Sequence, residues 1–417
     1  MLKKALVAMG ALLITAFPLS ASSPDSAIPP VEILPLTFAQ SGLSGPGGER
    51  IRNDLADTQF VALGEDHGFA DAPILAQALA ADMERHGGSV YHAAEIGPFS
   101  AEWLGNHFSG ITTSNGLKKV GAALKGKGLA MPFTSNVEDA TLAAGFIEAN
   151  GTSRLWGIDQ EFMGAPMILL EGLSRRTKDE AVRNRMLGIS EADRTALGKL
   201  AFDDAWLAKA NADDFGALSK AFAGDKSALR HVEALAASAK IYQLNNSGSY
   251  AASNELRSAL MQHYFLENYK KSGRAPKVLL KMGANHLGRG TTPVGIYDLG
   301  SLLPGLAAAN GKKSLHIAFI PVAGSVRSIA PSETRVTAVK PYEDEGMGAL
   351  LAAAGISVDA LPASGHVVIP LTAIRLRLSG KQKRDLPELA RFVLNGFDYL
   401  VTTRDAKPAT HFEDWQP

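Results

Sequence analysis

Phe60-Val61-Ala62-Leu63-Gly64-Glu65-Asp66-His67-Gly68 is the stretch that decides how this chain folds. Four apolar residues run into a glycine, and three polar side chains follow it. A short apolar run bounded by glycine reads as a buried strand. The glycine lets the backbone turn where the strand ends, so His67 projects from the loop beyond it. A second phrase, Met282-Gly283-Ala284-Asn285-His286-Leu287-Gly288, follows the apolar run Val278-Leu279-Leu280. Each time a strand-like stretch ends in Gly-x-x-His. Open α/β sheets bind ligands at the carboxyl ends of their strands. The two phrases therefore predict one site assembled from distant parts of the chain.

Outward from the first phrase, strand-like and helix-like segments alternate. Strands are expected at 60–64, 89–96 and 154–158, with helices at 73–85, 100–108 and 137–149 between them. This rhythm predicts an α/β fold: a mainly parallel central sheet flanked by helices. From 164 to 273 the strand signals vanish and apolar residues recur at helical spacing. That stretch is expected to be a helical insertion forming a cap over the site, closed by a long helix near 251–271. Strands resume at 277–281, 316–321, 367–371 and 399–401. The first half of the α/β core is thus placed at 49–163 and the second at 274–417. Residues 23–48, rich in Pro, Ser and Gly, read as a flexible segment. Within it Ser44-Gly45-Pro46-Gly47-Gly48 lacks both the lysine of a phosphate loop and a preceding strand, so it reads as a plain turn.

The first 22 residues have the layout of a secretory signal. Lys3 and Lys4 precede an apolar run from Ala5 to Phe17, too short to span a bilayer comfortably. Pro18 and small residues around Ala21 and Ser22 offer a cleavage region. The expectation is a periplasmic or secreted protein with no stable membrane span after cleavage. The 417 residues include no cysteine. That excludes disulfides, thiolate metal sites and a cysteine nucleophile. Lys+Arg and Asp+Glu number 42 each, so no charge excess points to nucleic acid. The partner expected is a small-molecule or peptide substrate, and nothing here sets an oligomeric state.

The candidate chemistry lies at the predicted strand ends. Glu65 and His67, two apart, point to the same side of an extended segment. A carboxylate beside an imidazole orients it and raises its basicity. Glu95 ends the second strand, where an acidic side chain is costly to bury unpaired. Asp159 and Gln160 follow the third strand; Asp159 there equally suits a helix N-cap. Asn285 and His286 stand in the second phrase, with Lys281 before them and Arg289 after. Arg289, between two glycines, suits an anionic group, or else is a solvated loop residue. On the long helix Arg257, Met261, Tyr264 and Asn268 share one face. Arg257 there either reaches the site or packs its aliphatic stem. His92 is set aside, because three residues of strand put it on the opposite face from Glu95. The chain has neither a Gly-x-Ser-x-Gly elbow nor a His-Glu-x-x-His helix, which weighs against common serine hydrolase and zinc protease designs.

Taken together, Gly64-Glu65-Asp66-His67, Glu95, Gly283-Ala284-Asn285-His286 and Arg257 with Met261 resemble the superfamily that joins erythromycin esterases, the haem-binding ChaN proteins and the TIKI/TraB proteins. Gly157-Ile158-Asp159-Gln160 and Phe397-Asp398-Tyr399-Leu400 look more like the erythromycin esterase branch. The Glu-x-His spacing is closer to ChaN and TIKI. Ser258 after Arg257, and Tyr264, depart from the esterase pattern. The resemblance implies a site of His67, Glu65, Glu95, His286 and Arg257, with Asp159, Gln160, Asn285 and Arg289 around the substrate. For an esterase it implies a histidine acting as general base on water. For a TIKI-like peptidase it implies a divalent ion (Mn, Co or Zn) on His67, His286 and Glu95. For ChaN it implies haem binding without turnover.

Overall fold

The computed structural model describes residues 29–273, 275–330 and 336–416. The predicted signal segment, 1–22, lies outside them. Eleven strands occur among the described residues: β1 Leu34–Ala39, β2 Gly42–Ser44, β3 Thr58–Glu65, β4 Val90–Ala94, β5 Leu155–Gly157, β6 Lys277–Gly283, β7 Lys313–Phe319, β8 Ser325–Ile329, β9 Thr337–Pro341, β10 His366–Pro370 and β11 Tyr399–Thr402. Nine form one sheet in the order β2-β1-β10-β11-β7-β3-β6-β4-β5, and β8 pairs with β9 as a separate hairpin. From β11 to β5 every pairing is parallel; β10, β1 and β2 join antiparallel at the other edge. The fold is the expected α/β one.

Strand β3 shows why. All eight of its residues are buried. A parallel strand covered on both faces reads as a near-continuous apolar run. Its side chains alternate: Phe60 and Ala62 enter one hydrophobic cluster, Val61 and Leu63 the other. Helices Asp71–Arg85 and Pro98–Phe108 pack into the second cluster. The helices Tyr250–Lys271 and Leu299–Ala308 pack into the first.

The chain runs from β3 to β4 and leaves a gap one strand wide. It moves outward to β5 and through the insertion before β6 fills that gap. Between β5 and β6 the described residues form helices alone, ending in the 22-residue helix Tyr250–Lys271. In the resulting register Glu65 pairs with Gly283, and Ala94 pairs with Lys281. This insertion of β6 brings the two Gly-x-x-His phrases side by side.

The reading of 23–48 as a flexible segment fails for its described part. Residues 34–44 form β1 and β2, and the supposed turn opens the helix Gly45–Leu55. The glycines mark close packing. A Cβ on Gly47 would lie 2.8 Å from the Val368 side chain and 3.0 Å from the Leu34 carbonyl. Gly45 (φ +77°) does turn the chain, but into a helix whose Pro46 stands in the first turn. Composition alone does not separate a tether from an edge strand that lies against a helix.

Candidate active site

Four adjacent strands, β3, β6, β4 and β5, end on one rim, and each delivers a residue there. Beyond β3, His67 sets its Nδ1 3.0 Å from Glu65 Oε1. Its Nε2 lies 3.5 Å from Glu95 Oε2, just past β4. Beyond β6, His286 puts Nε2 3.4 Å from the other Glu95 oxygen and Nδ1 2.7 Å from Asp298 Oδ2. Beyond β5, Asp159 receives Arg257 Nε at 2.9 Å and Nη2 at 2.5 Å, and the same Nη2 donates to Glu95 Oε1 at 2.8 Å. Glu95 therefore sits between two imidazoles, and each imidazole has a second carboxylate behind it.

The glycines of the two phrases do not work by turning the chain. Gly64 lies inside β3, where a Cβ would come within 2.9 Å of Ala284 Cα and 2.8 Å of the Phe397 ring. At Gly283 (φ −51°), an added Cβ would stand 2.9 Å from His67 Nε2. The glycine of the second phrase is thus needed by the histidine of the first. It is Gly68, at φ +95°, that reverses the chain after His67. Gly283→Ala is expected to displace the His67 ring and shift its titration while the fold is kept; imidazole NMR beside calorimetry checks this.

Two residues that the sequence reading did not select complete the network. Lys281, in β6, is 7% exposed. It donates to Glu65 Oε1 at 2.6 Å and to Asp139 Oδ1 at 2.8 Å. Asp139, from the helix Val137–Ala144, is the first of the missed pair. Asp298 is the second: it caps the helix Leu299–Ala308 with one oxygen and holds His286 with the other. Its capping position before Leu-Gly is legible in sequence. Its reach to His286 is not.

The charges set one another. Burial pushes the Glu95 carboxyl up, but His67, His286 and Arg257 outweigh it and hold it well below the usual range. Glu65 is likewise lowered, with Lys281 the main opposing influence to burial. Burial pulls His67 down, yet Glu95 and Glu65 raise it above an ordinary histidine. Burial and Arg257 both pull His286 down, but Glu95 and Asp298 prevail and take it to about 9. At neutral pH His286 is an imidazolium and Glu95 an anion. His92 is buried, bonded to the Leu279 carbonyl and lowered by burial to about 4, a structural histidine.

A cavity of about 360 Å³ opens beside His67. Its walls come from the β8–β9 hairpin, residues 128–136 and the residues after β9. Phe133 lies over the His67 ring, centroids 4.3 Å apart. The expected cap contributes no wall: none of residues 164–273 lines this cavity. The insertion serves the site through Arg257, because its long last helix crosses the sheet face with Met261 and Phe265 fully buried.

No protein-family model matches the chain, and no curated protein matches it significantly in sequence. Solved structures do match. A mutant of the erythromycin esterase EreC in its open conformation aligns with a TM-score of 0.56 at 14% identity, over 86% of this chain and 94% of that one. A succinoglycan biosynthesis protein aligns at 0.52 and 13%, over 91% and 95%. A Bacillus cereus protein aligns at 0.51 and 13%, over 91% and 96%. The fold is the erythromycin esterase-like one. At these identities the likeness covers the fold and no residue's role.

Within this erythromycin esterase-like fold, His67, Glu65, Glu95, His286 and Arg257 converge as expected. Asp159 is 3% exposed and committed to Arg257, so it positions that side chain. Gln160 is half-buried beside it, and Asn285 is exposed next to His286. Arg289 is not at the site. It grips Asp398 through both oxygens, at 2.8 and 2.6 Å, and reaches the Ser314 carbonyl, at the opposite end of the strands. The chain turns away after His286, which carries Arg289 down the sheet.

The donor set argues against a metal ion. Imidazoles with a carboxylate behind Nδ1 do orient toward metals. Here, however, Glu95 Oε2 already accepts the Gly283 N–H at 2.7 Å and Oε1 accepts Arg257. A cation on Glu95 Oε1 would have to share that oxygen with the Arg257 guanidinium. Among the described residues no group of three or more such side chains is arranged to hold a metal ion.

Proposed function

We propose that this protein is an exported hydrolase that attacks an ester, lactone or peptide bond with water. The observation that carries the reading is the His67 imidazole. It is fixed at Nδ1 by Glu65, faces a central Glu95 with Nε2, and stands at the edge of a cavity of about 360 Å³. Glu65 keeps the proton on Nδ1, which leaves Nε2 as the base. A water O–H bond breaks as its proton passes to Nε2. The water oxygen forms a bond to the acyl carbon, and the carbonyl electron pair moves onto oxygen. Protonated His286 and Arg257, whose N–H groups bond Glu95, Asp298 and Asp159, favour that oxyanion by their positive charge. Collapse breaks the bond to the leaving group, which takes the proton back from His67. Glu95 and Glu65 hold the intermediate imidazolium.

A panel of ester, lactone and peptide substrates, assayed with and without chelator, tests this. Turnover of at least one class is expected, and it persists after chelator treatment because no step needs a metal. Loss of all turnover on chelation, or a Soret band on adding hemin, would replace this reading with a cofactor-dependent one. Export is a separate part of the proposal. Amino-terminal sequencing of protein from the periplasm is expected to begin near residue 22.

The rate should be bell-shaped in pH. His67 must be neutral, and its pKa lies above the ordinary 6.5, so the rate rises with pH through that raised value. His286 must stay protonated, so the rate falls as pH passes about 9. His286→Asn keeps an N–H donor that does not titrate. It is expected to remove the basic limb of the kcat/KM profile and leave the acidic limb in place.

A further inference from the structure

A second cleft, of about 230 Å³, lies between the helices Pro98–Phe108 and Pro166–Ser174 and the first part of Lys226–Asn246. It shares no lining residue with the site around His67. Its floor is apolar, with Phe99, Ile168, Leu169 and Leu173 all buried. Two imidazoles lie against aromatic rings in its walls. His231 stacks on Phe99 with centroids 3.7 Å apart, and His107 lies 3.8 Å from Trp103.

Both imidazoles are fixed in the same tautomer. His107 Nδ1 bonds the Trp103 carbonyl at 2.8 Å, and His231 Nδ1 bonds the Ser227 carbonyl at 2.9 Å. A carbonyl only accepts, so Nδ1 carries the proton and Nε2 keeps its lone pair. Burial lowers both, which leaves them neutral at neutral pH. Neither Nε2 has a hydrogen-bond partner among the described residues. Exposed Glu102 and Asn106 stand on one lip of the cleft and exposed Arg175 on the other.

We propose that this cleft binds one hexose-sized sugar ring. Two lone-pair nitrogens and a carboxylate call for a ligand that donates several hydrogen bonds, and Arg175 calls for one that also accepts. Hydroxyl groups do both. The apolar C–H face of a pyranose matches the indole of Trp103 and the aliphatic floor. The volume suits a single ring, being below the range of about 300–1,000 Å³ usual for drug-sized ligands. Glu102 and the two acceptor nitrogens oppose an anionic arene.

Saturation-transfer NMR of the full chain with D-glucose, D-galactose or N-acetyl-D-glucosamine, each alone, tests this. At least one is expected to bind saturably with a Kd on the order of 1–10 mM. Gly172→Leu is the main variant. A Cβ at Gly172 meets nothing within 4 Å, so leucine fills the cleft without disturbing the helix. Gly172→Leu and Trp103→Ala are each expected to weaken binding at least tenfold and leave hydrolysis at the His67 site unchanged. No saturable signal from any of the three sugars would overturn the proposal. So would binding that survives Gly172→Leu, whatever Trp103→Ala does to folding.

Discussion

His67→Ala is expected to lower kcat/KM about a thousandfold on whichever substrate the wild-type chain hydrolyses, the usual worth of a positioned general base. The folded protein should barely notice. The His67 side chain is 34% exposed, and the carboxylates that it leaves keep other partners: Glu65 retains Lys281, and Glu95 retains Arg257 and the Gly283 N–H. Unfolding free energy should change by no more than about 1 kcal/mol. Glu65→Gln should cost less by itself, because it loosens the ring without removing the base. Combined with His67→Ala it should add almost nothing, since both act through one imidazole. Steady-state kinetics beside urea denaturation separate these outcomes. Unaltered turnover in His67→Ala would remove the catalytic assignment.

Lys281→Met is expected to have the largest effect on stability. Its side chain is 6% exposed, and its ammonium holds the carboxylates of Glu65 and Asp139, whose side chains are 4% and 10% exposed. Deleting the cation leaves Glu65 and Asp139 buried together, with only His67 beside Glu65 and a long Asn136 hydrogen bond to Asp139 to offset them. Breaking a buried pair in this way costs about 3–5 kcal/mol. The cost should depend on pH, with a definite sign. Burial already raises Asp139 from 3.8 to about 6 with Lys281 in place. A carboxyl whose folded pKa exceeds its unfolded value binds its proton more tightly when native. Its ionisation therefore erodes stability as pH rises through the folded value. The Lys281→Met defect should be greatest well above the folded Asp139 value of about 6 and shrink as pH falls to it, because Asp139 then takes up a proton. Chemical denaturation at several pH values checks this. A pH-independent defect would show that Lys281 contributes by packing alone.

The legible parts of this molecule share a cause. The strands at β3, β4, β5, β6, β7, β10 and β11 announce themselves because a strand buried on both faces must be apolar along its length. The edge at β1 and β2 does not, since an edge strand tolerates Pro, Ser and Gly. His67, Glu65, Glu95 and His286 are legible because they are polar residues placed directly after such runs. Arg257 carries no such mark; in its helix it reads equally as a packed stem, and only the family resemblance favoured the site. Arg289 shares a loop with His286 and misleads for that reason, as adjacency along a chain does not fix direction in space.

Sequence alone determined the α/β class, the strand ends that carry the acids and histidines, and the absence of any thiol chemistry. Each follows from local pattern and composition. The tertiary structure decided everything that depends on strand order. Only the entry of β6 between β3 and β4 sets Glu95 between two imidazoles, gives His67 the space over Gly283, and places Lys281 against Glu65 and Asp139. Register and proximity across more than two hundred residues come from packing a whole sheet, and no local stretch of chain contains that information.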